Sequence, residues 1–243
     1  MFWRKQKAAI GRFHPLHATL TLEQAFSVAL RRDEWEPVIQ SLAQHEAAGI
    51  RRRRWRLHER VPGTLVPMLR VLAADMTPDG TLSVAADMRG PKVPEKKGDT
   101  HPVPARPPIT SMKQWYVVDP WLRMRAELRD GSVLELSVTD RIRHRKYRKR
   151  NPRGKIKFKS KSKTVQLLRV TRRLAKDAVV QRPETPPPGR IKVQSKQGRR
   201  LVIRASGKWN GPEENGSAVR RILNVSTEPF RWTPPGAPPR RSR

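Results

Sequence analysis

The sequence contains no cysteine. That absence excludes disulfides, thiolate zinc sites, iron–sulfur clusters and cysteine nucleophiles together. Nothing in it approaches the roughly 18 consecutive apolar residues that a membrane helix needs, so no membrane span is expected. The start, Met1-Phe2-Trp3-Arg4-Lys5-Gln6-Lys7, is basic, but no apolar run of signal-peptide length follows it. A cytoplasmic location, or association with a nucleoid or organelle matrix, is the expectation. Glycine-rich phosphate loops and a nucleophile elbow are also missing.

Acidic residues are the scarcest feature of the second half. Residues 1–140 hold 22 Lys/Arg against 16 Asp/Glu, whereas residues 141–243 hold 31 against 5. The chain as a whole carries a formal charge of +32. A field of one sign resists compaction unless counter-charges neutralise it, which points to a polyanionic partner. An arginine-rich composition alone would raise acids and bases together, and after Asp140 the acids do not rise.

Proline punctuates what is present. Gly90-Pro91-Lys92-Val93-Pro94 with Pro102, Pro104, Pro107 and Pro108 reads as an extended linker, and Pro186-Pro187-Pro188 marks a second one. The divisions expected are a basic arm over 1–20, a unit of two helices and a β-hairpin over 21–89, and a proline-rich linker over 90–110. A β-rich basic unit over 111–206 follows, with an inner linker at 181–189. A loop with a last short element over 207–228 and a disordered Pro/Arg tail over 229–243 complete the chain. The fold class is α+β: a small helical and β-hairpin N-terminal unit, then a β-rich, strongly basic antiparallel unit.

Local patterns support those divisions. Thr21-Leu22-Glu23-Gln24 fits a capping box, and Leu22, Ala25, Phe26, Ala29 and Leu30 recur at helical spacing. A second helix starts near Trp35 and Pro37 and carries Val38, Ile39 and Leu42 on one stripe. Arg51 to Val61 and Leu65 to Asp75 read as extended, with Thr77-Pro78-Asp79-Gly80 turning into a strand from Thr81 to Asp87. Leu122 to Leu128 and Val133 to Val138 flank Arg129-Asp130-Gly131-Ser132 as a hairpin, and Ile191 to Ser195 pairs with Leu201 to Ala205 across Gly198.

The chemistry concentrates in one run. Arg141, Arg143, Arg145, Lys146, Arg148, Lys149, Arg150, Arg153, Lys155, Lys157, Lys159, Lys161 and Lys163 follow one another without an acid. From Lys155 to Lys163 the lysines alternate with Ile156, Phe158, Ser160 and Ser162. On a strand this places the ammonium groups on one face, about 6.5–7 Å apart, with Ile156 and Phe158 anchoring the other. Such spacing can track a phosphate backbone without reading bases. Asn151-Pro152-Arg153-Gly154 reads as a turn that makes the two arms neighbours. A second cluster is Arg51-Arg52-Arg53-Arg54-Trp55. Its tryptophan either stacks on an unpaired base or is a core residue with arginines alternating outward.

The function expected is that of a non-catalytic nucleic-acid-binding protein contacting the phosphate backbone without strong base specificity, RNA slightly favoured over DNA. Lys192, Lys196, Arg199, Arg200 and the Arg240/Arg241/Arg243 tail would assist. A structural, assembly or scaffold protein of a nucleic-acid-containing particle is the alternative, with the proline-rich segments engaging protein partners. A third is a metal-dependent nuclease. Asp119 followed by Glu127-Leu128-Arg129 resembles the acid, acid-x-base layout of such enzymes, with arginine in place of lysine. His14-Pro15-Leu16-His17 offers two ligands and no third. No catalytic residue, metal or cofactor is therefore assigned, and the oligomeric state is left open.

Overall fold

Leu134, Leu136 and Val138 alternate with Glu135, Ser137 and Thr139, and this period of two decides which side of the protein is dry. The computed structural model describes residues 2–45, 47–50, 52–211 and 217–233. Its centre is an antiparallel sheet of eight strands: β1 (Ala25–Arg31), β2 (Thr81–Asp87), β3 (His101–Val103), β4 (Ile109–Glu127), β5 (Val133–Arg150), β6 (Ile156–Arg173), β7 (Ile191–Lys196) and β8 (Val202–Asn210). The spatial order is β1-β2-β4-β5-β6-β8-β7, and β3 pairs with the outer half of β4. The α+β class expected from the sequence holds. Five α-helices occur among the described residues: α1 (Phe2–Ile10), α2 (Pro15–Leu22), α3 (Trp35–Ala43), α4 (Val66–Asp75) and α5 (Ser217–Phe230). No described helix is long and apolar enough to cross a membrane.

One face of the sheet is the core. Leu82, Val84, Met124, Leu136, Val138, Leu168, Val170 and Ala205 meet Trp35, Val38, Leu42, Leu69 and Leu72 from α3 and α4, and Ile222 and Val225 from α5. The Trp35 indole N–H donates to the Leu82 carbonyl at 3.1 Å, so this fully buried ring also satisfies its polar edge. The opposite face carries Arg123, Arg125, Arg169 and Arg204, all exposed. A smaller cluster of Ala9, Ile10, Ile50 and Trp55 ties α1 to the chain after α3.

Beside it, Phe13 stacks on His17 at 3.8 Å. His17 contacts Ser41 Oγ through Nδ1 and His45 Nδ1 through Nε2, each at 2.9 Å. Burial, with the neighbouring His45 and His14, pulls the His17 imidazole down to about 4.

Several elements match the sequence reading. The hairpin through Arg129–Ser132 forms, with Leu122 opposite Val138 and Glu127 opposite Val133. The β7–β8 hairpin, the helix at Trp35–Ala43 and the strand at Thr81–Asp87 are also present. Others are corrected. The helix expected from Leu22 to Leu30 is β1: α2 ends at Leu22, Gln24 takes φ 58°, and Phe26, Val28 and Leu30 turn to the core opposite Ala86, Val84 and Leu82. The i, i+4 spacing of this segment also contains a period of two, and pairing with β2 selects it.

Leu65–Asp75, expected as a strand, is a π-turn over Val61–Leu65 leading into α4, because Leu65, Met68, Leu69 and Leu72 bury a helical stripe. Arg53–Trp55 is a 3-10 turn rather than part of a strand. At 207–228, where a loop and a short element were expected, β8 runs to Asn210 and α5 spans fourteen residues.

The segment 90–110 is not a bare spacer. It contains a 3-10 turn (Pro94–Lys96) and β3, and the Lys96 ammonium is held inside the protein by Asp119 at 2.6 Å and Asp87 at 3.0 Å. Because β2 pairs directly with β4 across this segment, the two expected units share one sheet and one core. Residues 1–20, expected as an arm, supply α1 and α2. The tail expected at 229–243 is helical or turn to Thr233, and 234–243 lie outside the described residues.

Candidate nucleic-acid interface

β4, β5 and β6 are far longer than the body of the sheet, and their surplus forms an arm. β5 and β6 pair without a break from Val133 opposite Arg173 to Arg150 opposite Ile156. β8 leaves β6 at Val165, and β2 pairs with β4 only over Leu122–Ala126. Among the described strands, the β5–β6 ribbon beyond Asp140 is therefore flanked only by β4, itself edged by the short β3. Ten residues of β5, Arg141–Arg150, reach outward by roughly 30 Å. Asn151–Gly154 closes the ribbon as expected, with Gly154 at φ 77° and Asn151 Oδ1 accepting the Lys155 N–H at 2.7 Å.

The pairing register gives each base its face. Arg143 stands opposite Lys163, Arg145 opposite Lys161, Tyr147 opposite Lys159 and Lys149 opposite Lys157. On the reverse face His144 lies opposite Ser162, Lys146 opposite Ser160, Arg148 opposite Phe158 and Arg150 opposite Ile156. Arg153 and Lys155 sit at the turn. The expected alternation of the lysines is present, but the expected anchoring is not. Phe158 is 81% exposed and Ile156 47%, because no described helix reaches the arm and neither side chain has a core to enter.

Like charges directly opposite on neighbouring strands repel. Arg143–Lys163, Arg145–Lys161 and Lys149–Lys157 are three such pairs in one ladder. Among the described residues none of the thirteen bases from Arg141 to Lys163 forms an ion pair with a carboxylate. Neutral contacts hold some in place: Arg145 Nε donates to Gln114 Oε1 at 2.7 Å, Arg150 Nε donates to the Gly154 carbonyl at 3.3 Å, and Arg141 lies 4.3 Å over the Tyr116 ring.

At the foot of the arm the charge is balanced and dry. Asp119 and Asp140 face each other in the β4–β5 register, and Arg60 bonds to Asp140, lies 3.6 Å from Asp119 and covers Trp121 at 4.4 Å. Pro120 occupies the bulge between Asp119 and Leu122, and the shift buries Trp121 and Leu122 in succession. Burial pushes the Asp140 carboxyl up, and Asp119 adds to this against the pull of Arg60. Burial also acts upward on Asp87, but hydrogen bonds from Arg89 and Lys96 overcome it and hold the carboxyl at about 2.

The remaining sequence candidates are scattered. Trp55 is 6% exposed, and Arg52 and Arg54 lie 5.3 and 4.7 Å over its ring. It is thus the core residue of the two readings, with neither face open to a base. Arg53 is exposed beside it, and Arg51 lies outside the described residues. Asp119 and Glu127 do not converge: they lie on opposite faces of β4, roughly 25 Å apart by strand rise, and Asp119 is engaged by Lys96. No group of three or more metal-ligating side chains occurs among the described residues. Lys192 and Lys196 sit on the edge strand β7, away from the arm, and Arg240, Arg241 and Arg243 lie outside the described residues.

The sheet adds bases that the sequence did not single out. Arg123, Arg141, Arg169 and Lys208, with Ser137, Thr139 and Ser206, line an open concavity of about 900 Å³ on the uncovered face. Arg141 belongs to both the concavity and the arm, so the two basic surfaces are continuous. Apart from Arg141, these bases lie far apart along the chain outside the basic run, and strand order brings them side by side. No protein-family model matches the chain, and neither a curated protein nor a solved structure shows significant similarity to it.

Proposed function

We propose that the protein is a non-catalytic nucleic-acid-binding protein that grips the phosphate backbone with the β5–β6 arm. The observation that carries the reading is the ladder of facing bases without carboxylates. A ribbon with three repelling cross-strand pairs, and no described helix packed behind it, is stabilised when an external polyanion supplies the counter-charge. Arginine on β5 suits forked phosphate contacts, and lysine on β6 supplies point charges. The contacts are to phosphate, so weak base specificity follows. RNA is the favoured ligand, because a protruding basic ribbon suits irregular RNA surfaces. Arg123, Arg169 and Lys208 extend the same footprint across the uncovered face of the sheet.

The test is binding of the nuclease-treated protein to single-stranded RNA and duplex DNA at several salt concentrations. A variant with Lys155, Lys157, Lys159, Lys161 and Lys163 changed to glutamine is run beside it. The expected outcome is a log K that falls steeply with log salt, with the slope flattened in the variant by up to about 3.5–4.5. Weak binding near physiological salt, or a variant with the parental slope, would refute the reading.

A further inference from the structure

The arm carries one feature that a phosphate grip does not use. Phe158 is 81% exposed and stands opposite Arg148, with Ile156 two residues along on the same face. Lys113, Lys146, Arg148, Ser111 and Ser160 line with it a shallow hollow of about 490 Å³ on the reverse face of the ribbon. Among the described residues no cation lies over the Phe158 ring and no aromatic ring packs on it, in contrast to Trp55, Trp115, Tyr116 and Trp121, each of which is covered by Arg or Lys. A phenyl group this exposed contributes little to folding. An occupant of this hollow must be flat and apolar on one surface and anionic at its edges.

A nucleobase with its flanking phosphates has that character. We propose, building on the phosphate-binding reading above, that Phe158 is a stacking platform for an unpaired base, with Lys113, Lys146 and Arg148 holding the adjoining phosphates. The arm thereby selects single-stranded segments over continuous duplex. In a duplex the base faces are already stacked on one another, and a side chain reaches them only where pairing is broken. The same face continues inward to a second ring system. Trp115 stacks on His144 at 5.1 Å and 14°, with Lys97 and Lys146 5.7 and 5.8 Å from the indole. From Arg148 to His144 is four residues, roughly 14 Å of strand, so aromatic rings and cations alternate along this face. The front face carries the row Lys157 to Lys163 with Tyr147 opposite Lys159, and its part is to hold the backbone.

The experiment measures affinity of the full chain for labelled single-stranded RNA, single-stranded DNA and a fully paired duplex. Phe158→Ala and Phe158→Trp are compared with the parent, and vesicles containing phosphatidylserine form a separate arm. Phe158→Ala is expected to weaken single-strand binding by about 5- to 100-fold with the salt slope unchanged, since ring stacking neutralises no phosphate. Phe158→Trp restores it, and duplex affinity stays within about twofold. An abasic strand binds the parent no better than the intact strand binds Phe158→Ala. The RNA and DNA arms identify the preferred sugar. Equal single-strand affinity of parent and Phe158→Ala overturns the proposal, as does an equal loss on duplex, or a loss confined to vesicles. Absence of salt-dependent binding in the parent overturns the phosphate-binding reading itself, which separates the two failures.

Discussion

Arg60 is the residue whose removal most sharply tests the account of the arm's foot. It stands between two buried carboxylates, Asp119 with a side chain 1% exposed and Asp140 with one 8% exposed, and it also covers Trp121. Replacing it by methionine keeps most of the packing volume and removes the charge. Asp119 keeps Lys96, but Asp140 keeps the neutral Gln166 while still facing Asp119. Leaving a buried charge without its partner costs about 3–5 kcal/mol. For a chain of 243 residues this is a fall in Tm of roughly 6–20 °C. Urea unfolding at pH 7 followed by far-UV circular dichroism would read it directly.

The pH dependence supplies the sign. Asp140 already titrates above the ordinary carboxylate value, chiefly because it is buried, and without Arg60 it rises further. A raised folded pKa means the folded state binds the proton first, so acidification through that raised pKa restores stability to Arg60→Met relative to the parent. Adding Asp140→Asn to Arg60→Met should recover part of the loss at pH 7. An Arg60→Met variant within about 1 kcal/mol of the parent, or a double variant no better than the single, would refute the reasoning.

Two further outcomes are expected. His17, lowered to about 4 in the folded protein, is protonated first in the unfolded chain; stability present above about pH 6.5 is lost as pH falls toward 4, by up to about 3 kcal/mol, and His17→Gln should flatten that limb of a pH-stability curve. Gly207 lies beneath the Trp209 indole, so the methyl of Gly207→Ala would overlap the ring; a loss of about 1–3 kcal/mol in urea unfolding and a changed near-UV spectrum are expected, and an unchanged spectrum would refute the close approach.

Legibility in the sequence follows the range of the deciding interactions. The Asp130-Gly131 hairpin and the Trp35–Ala43 helix are readable because their signals, a turn dipeptide and an apolar stripe, are local. Ala25–Arg31 and Leu65–Asp75 exchange helix for strand between sequence and structure, because short apolar runs fit both periods until partners choose. The segment 90–110 reads as solvated because what fixes it is non-local: Lys96, whose partners lie 9 and 23 residues away, and the pairing of His101–Val103 with β4. In the candidate site the lysine alternation and the turn at Asn151–Gly154 are plain. What escapes is that no described helix backs Ile156 and Phe158, since a strand's pattern does not say how far its sheet is covered.

The outer margin of β6 has a consequence of its own. From Ile156 to Lys163 no described strand pairs with it on the side that β8 takes further along, so its backbone donors and acceptors face outward over about 25 Å. A bare margin of that length is a template on which a second copy could add its own strand. Lys157, Lys159, Lys161 and Lys163 make such docking costly, because two copies would bring their ammonium rows together. The lysines would therefore insulate this margin of the arm against strand addition by a second copy.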